Sequence, residues 1–177
     1  AAFLTLHIQK ESLLKGMTLK DASAYNVTFY QGKATFIDTL SFDRYRDGEP
    51  WVAYKQFCQH FLAPLVLMSK RDVRLNSLLK SYIDGVPLDL ASSLLPTTSY
   101  FNLGIFLHVH LHARSQKKYS ETSDAKKIES AHLSKSRLFA LIDSLESTIR
   151  KLKWSPGGTE WDDYYANNNN YDDFLKT

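Results

Sequence analysis

Two β-rich tetrads, Val27-Thr28-Phe29-Tyr30 and Ala34-Thr35-Phe36-Ile37, stand either side of Gln31-Gly32-Lys33. Their β-branched and aromatic content with a glycine between them predicts a compact antiparallel hairpin. The flanks read differently. Residues 1–15 carry apolar Phe3, Leu6, Leu13 and Leu14 at helical spacing and end at Gly16, where a left-handed cap suits glycine. Beyond Pro50 the periods are helical almost throughout. A short hairpin held between helices predicts a mainly α, α+β chain.

The polar stretch Leu19 to Asn26 reads as a loop, and Ser41 to Pro50 as a second one containing Asp47-Gly48. From Trp51, residues Tyr54, Phe57, Cys58, Phe61 and Leu65 give one broad apolar helix face. Pro64 lies inside that helix and predicts a kink or break. Asp72 is placed to cap a helix through Leu75, Leu78, Leu79 and Tyr82, and Asp89 a short one ending before Pro96. Residues 100–116 read as helix and Lys117 to Ser130 as polar loop. The clearest helix is 134–153, with Ser134 as N-cap and a stripe of Leu138, Leu141, Ile142, Leu145, Ile149 and Leu152. Ser155-Pro156-Gly157-Gly158 breaks the chain, and the remainder reads as a linker carrying Trp161, Tyr164 and Tyr165.

At 177 residues and 44% apolar content the chain can bury one ordinary core. A net charge of +3 gives no reason to expect nucleic-acid binding. The cluster Arg114, Lys117, Lys118, Lys126, Lys127, Lys135 and Arg137 reads first as a solvated helix end and loop, with a polyanion-binding patch as the alternative. A single cysteine, Cys58, excludes an internal disulfide and fits a cytoplasmic setting as a buried thiol. No apolar run approaches the roughly 18 residues that span a bilayer.

Phosphoryl transfer needs a carboxylate near the acceptor hydroxyl and oxygen ligands for magnesium. Asp21 is followed five positions later by Asn26, then the hairpin, then Phe36-Ile37-Asp38. In this order Leu19-Lys20-Asp21-Ala22-Ser23-Ala24-Tyr25-Asn26 resembles the catalytic loop of protein kinases, and more closely the aminoglycoside-phosphotransferase-like branch. That resemblance implies a kinase-like C-terminal lobe, with Asp21 as catalytic base and Asn26 and Asp38 as ligands of Mg²⁺ serving ATP. The sequence departs from the pattern in having Leu19 two positions before Asp21 and no Gly after Asp38. A Gly-rich nucleotide lobe would lie before Ala1. The plainer reading makes Asp21 and Asn26 turn caps and bonds Asp38 to nearby backbone.

A second resemblance covers nearly the whole chain. The runs Lys20 to Asn26, Phe36 to Phe42, Gly48 to Tyr54, Gln56 to Leu65, Ile83 to Ser92, Leu141 to Ser147, Gly158 to Trp161 and Asp163 to Tyr165 carry it. They are similar to the region preceding the catalytic domain in a bacterial, nodulation-protein-like family of class I SAM-dependent methyltransferases. The resemblance implies a piece of a larger protein, with residues 1–153 a kinase-like helical domain and 154–177 a linker toward a methyltransferase domain beyond Thr177. SAM would then belong to that domain. This chain would position substrate, a small molecule or glycan, or the partner domain.

His108-Val109-His110-Leu111-His112 is the remaining chemical feature. On a strand all three imidazoles share a face; on a helix His108 and His112 pair at i and i+4. Such a pair plus a carboxylate could hold zinc, although no Asp or Glu flanks it. The alternative is structural histidines. His60, on the apolar helix, reads as a hydrogen-bonded core residue.

Overall fold

A computed structural model describes residues 1–114 and 133–153. The linker expected over 154–177 and the loop expected over 117–130 lie outside the described residues. Helix α1 (Ala2–Leu14) leads into strand β1 (Met17–Leu19), strands β2 (Val27–Tyr30) and β3 (Lys33–Phe36), and strand β4 (Phe42–Arg44). A helical rod follows: α2 (Tyr54–Phe57), a π turn (Cys58–Leu62) and α3 (Ala63–Lys70). A 3₁₀ turn (Val73–Ser77), α4 (Leu78–Ser81), α5 (Leu88–Leu94), another 3₁₀ turn (Thr97–Phe101) and α6 (Leu103–Ile105) come next. A second π turn (Phe106–His110) carries the helix on to residue 114, and α7 (Lys135–Arg150) closes the described part. The fold is mostly helical with two small antiparallel sheets; the α+β class and the inner hairpin are as the sequence predicts.

The sheets are nested. β2 and β3 pair with Tyr30 opposite Lys33, so the turn is Gln31-Gly32 alone. Both turn residues have positive φ, 49° and 74°, the type I′ geometry that matches strand twist. Outside this hairpin β1 pairs with β4, Leu19 opposite Phe42 and Met17 opposite Arg44. Neither outer strand is foreseen by sequence pattern, since three residues show no period.

Gly16 sits at φ 73° after α1, as expected. The buried face of α1 differs from expectation. It consists of Ala2, Thr5, Leu6, Gln9, Ser12 and Leu13, while Phe3 and Leu14 are exposed. The polar members are used: Gln9 caps the backbone of β1, as described below. Helix α7 buries Leu138, Ile142, Leu145 and Ile149, and Ser134 accepts a hydrogen bond from the Arg137 N–H as its cap. Lys10 ties α1 to α7 through Asp143 at 2.6 Å and Glu146 at 2.8 Å. Close packing of α6 on α7 depends on Gly104, where a Cβ would overlap the Thr148 side chain.

The break expected at Pro64 is a change of helical register. In the π turn each carbonyl looks to the N–H five residues on. The Ala63 N–H bonds the Cys58 carbonyl in this way. The Gln59 carbonyl would look to residue 64, a proline without an N–H. It accepts instead from the Val86 N–H at 2.9 Å. That contact needs Gly85, at φ 89°, where a Cβ would come within 2.7 Å of Gln59 Cβ. Asp72 caps the 3₁₀ turn Val73–Ser77 through the Arg74 N–H, whereas Asp89 lies in the first turn of α5 without capping it. Cys58 is fully buried, and burial pushes its thiol up to about 12. Among the described residues no helix is long and apolar enough to cross a membrane.

Gly85→Ala combines a disallowed φ with backbone overlap and is expected to cost about 2–4 kcal/mol in urea unfolding. Gly32→Ala meets open space and pays only for its φ, about 1 kcal/mol. Equal losses for the two would contradict the close-approach role of Gly85.

Candidate functional site

The loop bearing Asp21 is fixed by side chains from three distant elements. The Leu19 N–H donates to Gln9 Oε1 at 2.7 Å, and the Leu19 carbonyl accepts from Trp51 Nε1 at 2.9 Å. The Ala22 N–H donates to Gln56 Oε1 at 2.7 Å. Leu19 and Ala22 are buried, and Asp21 is held between them, half-buried. Sequence reasoning missed Gln9, Trp51 and Gln56, because a glutamine on a helix gives no local sign of its partner.

Within the loop, Asp21 Oδ1 accepts from the Ser23 N–H at 2.8 Å, and Ser23 Oγ accepts from the Tyr25 N–H at 3.2 Å. These are side-chain-to-backbone turns of the kind Asp and Ser favour. Tyr25 turns its ring edge-on to His60, at 5.8 Å between centroids. His60 is buried, and neither ring nitrogen has a hydrogen bond among the described residues, unlike the hydrogen-bonded core histidine expected. Burial lowers its pKa; Asp21 and Asp84 act in the opposite sense.

Asn26 and Asp38 are brought together by the hairpin, and the residue joining them is Ser41. Asn26 Nδ2 donates to Ser41 Oγ at 3.0 Å, and Ser41 Oγ donates to Asp38 Oδ2 at 2.5 Å. The other carboxylate oxygen of Asp38 accepts from the Leu40 N–H at 2.8 Å. The Ser41 hydroxyl, followed by the Leu40 N–H, holds the Asp38 pKa below the ordinary carboxylate range, and Lys20 adds to the effect. Both oxygens of Asp38 are thus engaged inside its own turn. Among the described residues, no group of three or more His, Cys, Asp or Glu could hold a metal ion.

The histidine run is helical; His108 and His110 lie in the π turn and His112 in the α-helical turn that follows. His108 Nδ1 is 2.7 Å from Tyr54 Oη and its Nε2 2.9 Å from Ser144 Oγ. His110 has Ser92 Oγ on Nδ1 at 2.7 Å and Ser99 Oγ on Nε2 at 2.8 Å. The His110 ring also stacks on Tyr100, 3.8 Å between centroids and 10° from parallel. His112 packs its ring against Tyr54 at 5.0 Å. His108 and His112 therefore do share a neighbour, but it is a phenol. With both nitrogens of His108 taken, the pair has no free ligand atom on that residue for zinc.

The Asp21, Asn26 and Asp38 arrangement, on its nested strands, is the background for comparison with known proteins. No family model matches the chain, and no solved structure does. It is 39% identical over 173 residues to the nodulation protein NoeA of Rhizobium meliloti (strain 1021). The similarity supports a nodulation-protein-like family. It covers 95% of this chain and 36% of NoeA, so the chain spans about a third of its relative's length.

Burial holds His108 neutral, with a pKa of about 4 against the usual 6.5, and His112 adds to the lowering. The unfolded chain binds the extra proton between those values, so stability rises with pH across that window and falls on acidification. Between about pH 7 and about pH 5 this residue alone is expected to remove about 2 kcal/mol. Urea unfolding at the two pH values checks this. His108→Gln should flatten the slope without abolishing it, because His60, His110 and His112 shift in the same direction.

Proposed function

We propose that this chain is a kinase-like accessory module of a longer SAM-dependent methyltransferase, one that positions substrate or a neighbouring domain and does not itself transfer methyl groups. The nested pairing of β1 with β4 around the β2–β3 hairpin supports the kinase-like part of this reading. It sets Asp21 in the loop before the hairpin, Asn26 at its foot and Asp38 just after it, the order of a phosphotransfer loop.

The observation that carries the non-catalytic reading is the Asn26–Ser41–Asp38 chain. A magnesium site needs carboxylate and amide oxygens turned outward toward one point. Here both oxygens of the Asp38 carboxylate are bonded, to Ser41 and to the Leu40 N–H, and the Asn26 amide is tied by its Nδ2 to the same serine. The same groups stabilise a turn. The methyltransferase part rests on the sequence runs that resemble that family; the similarity to NoeA, most of whose length lies outside this match, supports only a place in a longer protein. The methyl acceptor, a small molecule or glycan, would be met by that larger protein.

A C-terminal lobe of an ATP- and magnesium-dependent small-molecule phosphotransferase is the second reading. Asp38 favours it in one respect, since the group is half-exposed and held as the anion. The occupied nitrogens of His108 weigh against a zinc-binding module; a polyanion-binding module would rest on the separate basic cluster from Arg114 to Arg137.

Calorimetry separates these. The full-length gene product is expected to bind SAM and to show no magnesium-dependent ATP binding, while residues 1–177 bind neither. Magnesium-dependent ATP binding lost in Asp38→Ala would establish the phosphotransferase reading instead. SAM binding by residues 1–177 alone would refute the accessory role.

A further inference from the structure

Between residues 25 and 40 large apolar side chains stand in solvent: Phe29 is 69% exposed, Tyr30 66% and Leu40 80%, with Tyr25 and Ile37 close behind. Phe29 and Tyr30 are adjacent on β2 and so point to opposite faces of the hairpin. The face of Thr28, Tyr30, Lys33 and Thr35 is exposed throughout, whereas beside Phe29 the residues Val27, Ala34 and Phe36 are half-buried; an exposed aromatic ring stands on each face. A two-stranded hairpin in that condition is marginal in water. Its register is nevertheless set by the type I′ turn, which keeps the rings in fixed positions.

The backbone repeats the pattern. The Ile37 N–H bonds the Asn26 carbonyl, which makes Thr28–Thr35 and Tyr30–Lys33 the hydrogen-bonded pairs of the ladder. Phe29 then turns its N–H and carbonyl outward along the edge of β2 that pairs with no strand among the described residues. No charge, proline or bulge guards that edge, whose residues are Val27, Thr28, Phe29 and Tyr30. An unguarded edge flanked by exposed aromatics marks an interaction surface.

The length of the relative bears on what could occupy it. NoeA extends for nearly two-thirds of its length outside the match, enough for a further domain. We infer that the hairpin, through Phe29, Tyr30, Ile37 and Leu40, is the seat for an apolar face of the polypeptide outside the matched third. This rests on the accessory-module reading and gives it a contact surface. The exposed row Phe101, Leu103 and Leu107 is the competing face.

Hydrogen–deuterium exchange on the full-length gene product, compared with residues 1–177, tests the assignment. The Phe29 amide and its neighbours in 27–37 are expected to exchange at least about tenfold more slowly in the full-length protein. The double variant Phe29→Glu, Leu40→Glu should remove that protection, and in residues 1–177 it should leave the circular dichroism unchanged. Protection of residues 100–111 with the hairpin unchanged would overturn this surface and leave the accessory reading standing. No protection anywhere would sink both. Hairpin protection that grows with the concentration of residues 1–177 alone would assign the face to a second copy and overturn the inference.

Discussion

Pro64 has no N–H, and the consequences of that missing donor reach most of the structure. A regular helix through residues 54–70 would strand a carbonyl in the core, at a cost of about 1–3 kcal/mol for an unpaired buried acceptor. The π turn Cys58–Leu62 moves the problem to Gln59, and the Val86 N–H resolves it. The turn at residues 84–86 is thereby pressed onto the rod so closely that only glycine fits at 85. Gln56, one turn earlier, reaches the loop through the Ala22 N–H, and His60 lies against Tyr25 of the same loop. The proline thus organises the face on which the candidate site is built.

The other buried polar groups follow a similar logic. A carbonyl, amide or imidazole enters the core only with partners fixed in place. Leu19 has Gln9 on one side and Trp51 on the other; His108 and His110 each have an oxygen on both nitrogens. These groups specify position more than they add stability, since each bond replaces one made to water. His60 is the exception among the buried imidazoles, with ring and carbon neighbours in place of hydrogen bonds.

What the sequence reveals is local. Gly16 ends α1 and Ser134 begins α7 because a cap depends on a few neighbouring residues. The hairpin is legible because Gln31-Gly32 and its flanking tetrads lie together, and Pro64 announces a break. What is hidden is non-local. Met17–Leu19 and Phe42–Arg44 become strands only by meeting each other, and no apolar period distinguishes a π turn from an α turn. The exposed Phe3 and Leu14 show the same limit: apolar residues mark α1, but Thr5, Gln9 and Ser12 take the buried face because β1 and the rest of the core lie there. For the site, the order Asp21, Asn26, Asp38 is readable, yet Ser41, which joins two of them, draws no notice in a polar loop. The histidine run was open between strand and helix until its hydroxyl partners, Tyr54, Ser92, Ser99 and Ser144, came from elsewhere in the chain.

Lys10 reaches Glu146 across 136 positions of sequence. A ribosome adding about 5–20 residues per second leaves α1 waiting on the order of ten seconds before α7 has been made. Once clear of the tunnel, Leu6 and Leu13 wait for the part of the core that α7 supplies. The earlier-written helix of this pair therefore waits for the later one before it is locked, and the nascent chain spends that interval with an apolar stripe available to chaperones.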